Sequence, residues 1–418
     1  MIEIITKINS AVNNFVWGPV MLLLLVGTGV YLTARTGCIQ AAKFGYIMRN
    51  TVGSLFRRRE KRDKDAKNLT PFQAVTTALA GTVGTGNIAG VTGAIFAGGP
   101  GAVFWMWFAA FFGMFTKFAE IVLALKYRQV DENGVHYGGP MYYIEKGLGM
   151  KWLAVLFSLV AGFACFGIGN ISQSSEIAGA MEGLFGMSGL TTGVLLAVVV
   201  GIVVLGGVQR IGRVTSYMVP FMAIFYIGAG LAVILLRIDQ VPAALASIFT
   251  SAFSFEAVGG GVFGYAIMVA MRQGFARGVF SNEAGLGSAP MAHAASETQE
   301  PVEQGMWGVF EVFIDTIVIC TLTSLAVILS GVLDVGLDSY ATNGAAAVAA
   351  FNAILPGTIG GTIIQISLLF FALSTILGWS YYGERCWAYL SNNNKAVVWV
   401  FKVVFVLVCI VGATGNGT

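Results

Sequence analysis

The chain has 418 residues, of which 56% are hydrophobic and 11% charged, less than half the roughly 25% charge of an average soluble protein. Its 24 Lys+Arg nearly balance 21 Asp+Glu, which excludes a nucleic-acid binder held by bulk positive charge. Five scattered cysteines and two histidines exclude a disulfide framework and a histidine-rich metal site. Apolar runs recur at the length that crosses a hydrocarbon core of about 30 Å, so the chain reads as an all-α polytopic membrane protein.

Ten spans follow in chain order, near residues 14–32, 71–96, 102–125, 152–177, 192–207, 216–236, 262–283, 307–333, 362–383 and 397–412. The first lacks a positive leader and a small-residue cleavage site, and is read as a retained helix. Ten of the 24 Lys+Arg fall between Arg35 and Lys67. The positive-inside rule therefore places that loop in the cytoplasm and the N-terminus outside. Arg57–Lys67 is read as a topogenic loop and not as a regulatory patch. Segments 247–255 and 139–148 read as short interfacial or re-entrant helices. The units are 1–69 (extra N-terminal helix and basic loop), 70–240 (first five-helix repeat) and 241–418 (second, inverted repeat).

Two spans are not ordinary. The second contains GTVGTGN from Gly81 to Asn87, with Gly90 and Gly93 beyond. Close helix packing through small residues explains Gly90 and Gly93, but not an amide and two hydroxyls at mid-depth. A break in the helix does, because unpaired backbone groups there must be satisfied within the protein. The match of Gly84–Ala89 to a dinucleotide-binding pattern is accidental, since no strand precedes it and no acid follows about 20 positions on.

The span 262–283 is the second candidate, with Arg272, Gln273, Gly274 and Arg277 interrupting it and a break expected at Gln273–Gly274. Arg277 and Glu283 are read as its cytoplasmic end. The two interrupted spans run in opposite directions and lead two five-helix units, the sequence mark of a midplane site in a secondary transporter. In the span 362–383, Ser374 and Thr375 place adjacent hydroxyls in an apolar run. They either bond back to their own helix or, with the Phe371 carbonyl, form half a cage for a hard cation.

Three stretches carry a resemblance: GGPGAVFWMWFAAFFG from Gly98 to Gly113, GGPMYYI from Gly138 to Ile144, and QGFARGVFSNEAGLGS from Gln273 to Ser288. The chain resembles the alanine or glycine:cation symporter (sodium:alanine symporter) family over essentially its whole length. The resemblance implies a LeuT-like 5+5 inverted-repeat bundle with one extra N-terminal helix, its tenth core helix missing after Gly412. It implies sodium-coupled uptake of alanine or glycine by alternating access, and not an enzyme. It places Gly84, Thr85 and Gly86 at the substrate carboxylate, with no room for a side chain at Gly84 and Gly86. Gln273, Gly274 and Phe275 would surround the substrate backbone and side chain, Phe275 as the size-selecting wall. Sodium would take the Ala80, Val83 and Phe371 carbonyls with the Ser374 and Thr375 hydroxyls, and Asn87 matches an amide that serves a second sodium in some relatives. The expected setting is the plasma membrane of a prokaryote, as a monomer in a lipid bilayer with no covalent cofactor.

Glu176, Glu311 and Asp315 could carry protons instead, or pair with Lys117, Arg272 or Arg277. Asn170, Ser172 and Gln173 make a plausible pocket wall, of which periodicity cannot choose one. His136 and His293 read as solvated loop residues. A channel or a membrane-embedded enzyme are the competing readings; asymmetric breaks argue against the first, and the lack of a nucleophile–base pair or metal ligands against the second.

Overall fold

The computed structural model describes residues 6–7, 12–13, 15–56, 67–253 and 262–415, without the side chains at 19 and 262–266. The basic run 57–66 and the end of the 247–255 segment lie outside them. All ten expected spans are helical. Among the described residues, six helices are long and apolar enough to cross a membrane, or seven when a bent pair counts as one span.

Helix α1 (Pro19–Arg35) precedes the bundle. Helix α2 (Pro71–Thr82) starts where the sequence punctuates it. Thr70 Oγ1 accepts from Gln73 N and Gln73 Oε1 from Thr70 N, each at 3.1 Å, with Pro71 at the first helical position. A 3₁₀ turn at Thr85–Asn87 leads to α3 (Ala89–Gly98), bent by 56° from α2. Then come α4 (Gly101–Lys126), the interfacial α5 (Pro140–Leu148), and α6 (Lys151–Phe166), which continues through a π-helical turn at 167–171 into α7 (Ser172–Phe185). Helices α8 (Gly189–Val204) and α9 (Gly207–Leu236) follow.

Next in the chain are α10 (Val241–Phe253), α11 (Val262–Asn282), α12 (Ala289–Ala294) and α13 (Pro301–Val312), which passes through a π-helical stretch at 313–320 into α14 (Thr321–Leu329). Helices α15 (Asn343–Ile354), α16 (Ile359–Leu390) and α17 (Lys395–Thr414) come last. Helix α15 was not foreseen, because an alanine-rich run of 12 residues falls short of a span.

The expected break at Gln273–Gly274 is not there. Helix α11 runs through both residues, and the chain breaks ten positions later, between Asn282 and Ala289. Glu283, Gly285 and Gly287 all have positive φ (56°, 94° and 75°), a region that glycine enters freely and glutamate rarely. Gly274 has a packing role instead: a Cβ there would run into the Ala102 carbonyl and the Trp105 side chain, so α11 and α4 approach backbone to backbone.

One end of the bundle gathers Asn68, Arg128, His136 and residues 295–298. A parallel bridge joins Leu69 to Ser296, with Leu69 N to Ala295 O at 3.0 Å and Glu297 N to Leu69 O at 2.8 Å. Arg128 donates to the Ser296 and Thr298 carbonyls, and His136 Nδ1 donates to Ser296 O at 2.8 Å. This basic end thus ties the start of α2 to the end of α12.

A candidate site between two helix breaks

Helix α11 runs antiparallel to α3. Gly98 lies against Ala270 and Gln273, Gly90 against Arg277, and Gly86 against Phe280. That register brings Ser281–Glu283 level with Val83–Asn87, so the two breaks meet. It also moves Gln273 and Gly274 to the far end of α3, away from the break, and puts Arg277 on the half of the bundle opposite the basic end. The sequence reading had Arg277 and Glu283 at a cytoplasmic helix end; Glu283 is instead 2% exposed in the middle of the molecule.

The first break is held by one side chain. Gly84 N donates to Asn87 Oδ1 at 2.9 Å, and Asn87 N turns back to Gly84 O at 3.1 Å. Those are the amides that would have closed helical bonds to the Ala80 and Val83 carbonyls. Asn87 Nδ2 donates to Asp315 Oδ1 at 2.7 Å and to Ser281 Oγ at 2.9 Å, so both ends of its amide are occupied. Asp315 also accepts from Ser281 and Thr316, each at 2.8 Å. Asn87 therefore splints the turn to the second break and to the π-helical stretch.

A cavity of about 40 Å³ lies where the breaks meet. Gly84, Gly86, Gln173, Ser281, Glu283 and Thr375 give it a polar side, and Ile168, Phe280, Leu286 and Trp379 an apolar one. Thr85 Oγ1 donates to Gln173 Oε1 at 3.0 Å. Of the three candidates on that wall only Gln173 reaches the site, since Asn170 Nδ2 is spent on Phe405 O at 2.7 Å and Ser172 is exposed. Above it, a cavity of about 520 Å³ is lined by Trp17, Arg272, Gln273 and Arg277 and shares Ile168 and Phe280 with the smaller one. Arg277 lies over the Phe280 ring at 5.4 Å.

Phe275 points elsewhere. Its ring packs 5.5 Å from Trp105 and 5.9 Å from Phe108, in a cluster with Leu22 and Val26 of α1. The apolar walls beside the break are Phe280 and Trp379, which the sequence reading missed because it put the break too early. A Cβ on Gly86 would meet Phe280 at an ordinary 3.5 Å, so no protein atom bars a side chain there, whereas a Cβ on Gly84 would collide with Thr375 Oγ1.

The hydroxyl pair stands beside the first break because α2 and α16 cross at two glycines. A Cβ on Gly378 would lie 2.7 Å from Gly81 N. One turn earlier on α16, Ser374 Oγ sits 3.4 Å from Val83 O. Ser374 and Thr375 both donate back to Phe371 O, at 2.8 and 2.9 Å. Their protons are thus directed at their own helix, and their lone pairs are left for a cation. Phe371, Ser374, Ala80 and Val83 are all buried at 1% exposure or less.

Two helices broken at one level, antiparallel and enclosing a small polar cavity, define a secondary carrier of the inverted-repeat kind. Solved structures share the architecture. MhsT in complex with L-phenylalanine matches with a TM-score of 0.58 at 16% identity, over 86% of this chain and 82% of that one. A Na⁺-coupled sialic acid symporter, substrate-bound and outward-open, matches at 0.55 and 13% identity over 94% and 79%. The sequence profile of the sodium:alanine symporter family matches residues 2–418, and the chain belongs to that family. The sodium/alanine symporter AgcS of Methanococcus maripaludis is 46% identical over 99% of this chain and 89% of its own length. The probable sodium/glutamine symporter GlnT of Bacillus subtilis is 37% identical over 100% and 84%. The chain is a multi-pass, sodium-coupled amino-acid symporter and not an enzyme.

Proposed function

We propose that the chain takes up alanine, or an amino acid of that size such as glycine, together with sodium. The observation that carries this is the cavity between the breaks. At about 40 Å³ it offers room on the order of three waters. An amino acid must displace the walls to enter, and each further side-chain atom demands a larger displacement of Ile168, Phe280 or Trp379, which favours the smallest side chains.

The substrate carboxylate faces Gly84, Thr85 and Gly86, at the turn that opens α3, where amides and the positive end of the helix favour an anion. Its ammonium faces the Glu283 carboxylate and the carbonyl end of α11. Its side chain meets Ile168, Phe280 and Trp379. Gln273 and Gly274 act above the site, Gln273 in the approach cavity. Sodium takes the Ala80 and Val83 carbonyls and the Ser374 and Thr375 hydroxyls. The Phe371 carbonyl joins them once the two hydroxyl donors let it go. Asn87 holds the turn and is not assigned to a second ion. Every ligand comes from one chain, so the monomer is the working unit. The basic end faces the cytoplasm of a prokaryotic cell, and the cavity beside Arg272 and Arg277 is the external approach.

The test is uptake of labelled alanine into proteoliposomes. Alanine should accumulate against its gradient only when sodium is higher outside, with glycine competing and glutamine not. Accumulation driven by a proton gradient without sodium, or glutamine competing as well as alanine, refutes this reading.

A further inference from the structure

Besides the cavity, the bundle buries a second polar system that sodium and substrate do not use. Lys117 of α4 is fully buried, as is His293 of α12, and Glu311 of α13 is 1% exposed. Expectation had His293 in a solvated loop, and the position of the second break is the reason it is not. Lys117 Nζ donates to the Asn282 carbonyl, the last of α11, at 2.7 Å. The same ammonium lies 3.4 Å from Glu311 Oε2. Glu311 Oε1 accepts from His293 Nε2 at 2.6 Å, and His293 Nδ1 accepts from Gln304 Nε2 at 2.8 Å. Gln304 reaches on to the Pro71 carbonyl at 3.4 Å, at the start of α2.

The direction of these bonds follows from their ends. The Ser296 and Thr298 hydroxyls donate to Gln304 Oε1, at 3.3 and 3.0 Å, which turns its amide nitrogen toward His293. His293 Nδ1 must then be unprotonated, and its Nε2–H points at Glu311. The close charged contact in this group is Lys117 with Glu311. At its other end the chain continues into the substrate region: Asn282 Nδ2 donates to Thr316 Oγ1 at 3.1 Å, and Thr316 to Asp315, which holds Asn87.

Apolar residues of equal size would fill this interior at less cost, because two desolvated charges repay their burial only with excellent geometry. The geometry here is not excellent at one place. Glu311 Oε2 has no aligned hydrogen-bond donor, only the ammonium at 3.4 Å. That link joins α4 to the α12–α13 pair, and α12 is bridged to the start of α2.

We propose that Lys117, Glu311 and His293 are positioning residues that form a latch. The latch holds the basic-end halves of both broken helices, α2 and α12, closed against α4, and the Lys117–Glu311 contact is where it parts when that end opens. It connects the substrate site to the gate through Asn282 and Asp315. The flux arm of the test rests on the transport reading above; the accessibility arm does not.

A native thiol reports the gate. Cys386 of α16 is fully buried with its Sγ 3.9 Å from Met291 Sδ of α12, so withdrawal of α12 removes part of its cover. Cys409, fully buried on α17, serves as the control. The full chain in proteoliposomes is treated with a maleimide, and the labelled cysteines are identified by peptide mass. In Glu311→Gln, Cys386 labelling should rise about tenfold, as expected when a two-state gate loses one stabilising contact. Cys409 should stay unchanged, alanine affinity at saturating sodium should be retained, and net uptake should fall. If Glu311→Gln does not fold, Lys117→Met/Glu311→Met carries the test, since it removes both members of the contact and should show the same rise. Labelling of Cys386 at the wild-type rate in a folded variant overturns the latch. An equal rise at Cys409 also overturns it, because that is general loosening. Absence of alanine binding in the wild type would refute the substrate assignment and leave the Cys386 comparison valid.

Discussion

Replacing Gly84 by alanine separates sodium binding from substrate binding with a single methyl group. The new Cβ would collide with Thr375 Oγ1. Backbone relief is blocked on one side, because Gly84 N is tied to Asn87 Oδ1 at 2.9 Å. Thr375 must therefore rotate, giving up its bond to Phe371 O at 2.9 Å and its place beside Gly84. Overpacking of this kind costs about 1–3 kcal/mol. Expressed in sodium binding, that is roughly a five- to 150-fold loss of affinity. The assay is alanine uptake in proteoliposomes as a function of sodium, with alanine affinity measured separately at saturating sodium. The sodium midpoint should rise by that factor, and alanine affinity at saturating sodium should also fall, but by less, because the new Cβ is aimed at Thr375. Adding Thr375→Ala removes the colliding oxygen, so Gly84→Ala should have little further effect on that background, a coupling a double-mutant cycle measures directly. An unchanged sodium midpoint in Gly84→Ala would falsify the placement of sodium between α2 and α16.

Thr375→Ala alone should weaken apparent sodium affinity more than alanine affinity, and Ser374→Ala/Thr375→Ala should uncouple transport; sodium-dependent uptake of wild-type character in the double variant removes the site. Phe280→Ala should admit valine by opening the apolar wall, as competition against labelled alanine will show. Phe275→Ala should admit nothing new and lose stability by about 3–5 kcal/mol, because its ring packs on Trp105 and Phe108; a gain of valine transport there would restore the role first expected for it. Glu283→Gln removes the charge opposite the substrate ammonium and should raise the alanine KM at least tenfold, a change of about 1.4 kcal/mol, with the sodium midpoint at saturating alanine little moved; an unaltered KM takes Glu283 out of the site.

The spans were legible because each is a long apolar run whose loops sort by charge, and the first break was legible because GTVGTGN puts backbone-permissive and polar residues where hydrocarbon-solvated helix is expected. The second break was misplaced for a related reason. Arg272, Gln273 and Arg277 look like an interruption when polarity alone is scored. In the fold they line the approach cavity on an intact helix, and Gly274 serves packing. The better signal was conformational: Gly285 and Gly287 two apart, directly behind Asn282, which turns its Oδ1 to Ala284 N at 3.0 Å. That ten-residue error carried Phe275 into the site in place of Phe280, and put His293 in a loop. The π-helical turns at 167–171 and 313–320 left no mark in the periodicity, since spans that are apolar on most faces carry no sharp stripe for an extra residue to displace.

With sodium at the proposed position, the placement of the two breaks would also explain why coupling needs no carboxylate there. The α2 carbonyls of Ala80 and Val83 lose their helical donors only because Gly84 N and Asn87 N turn into the 3₁₀ turn. The same turn presents Gly84 and Gly86 to the cavity. One distortion of one segment thus creates oxygens for the cation on its α2 side and a favourable position for the carboxylate on its α3 side. An ion that fixes Val83 against Ser374 and Thr375 stabilises the turn that the substrate needs, and the substrate returns the same free energy to the ion by linkage. Asn87 is the element both ligands depend on. Asn87→Ala, which frees Gly84 N and releases Asp315, should lower the affinity for sodium and for alanine together. Loss of one affinity with the other intact would show that the two ligands do not share the turn.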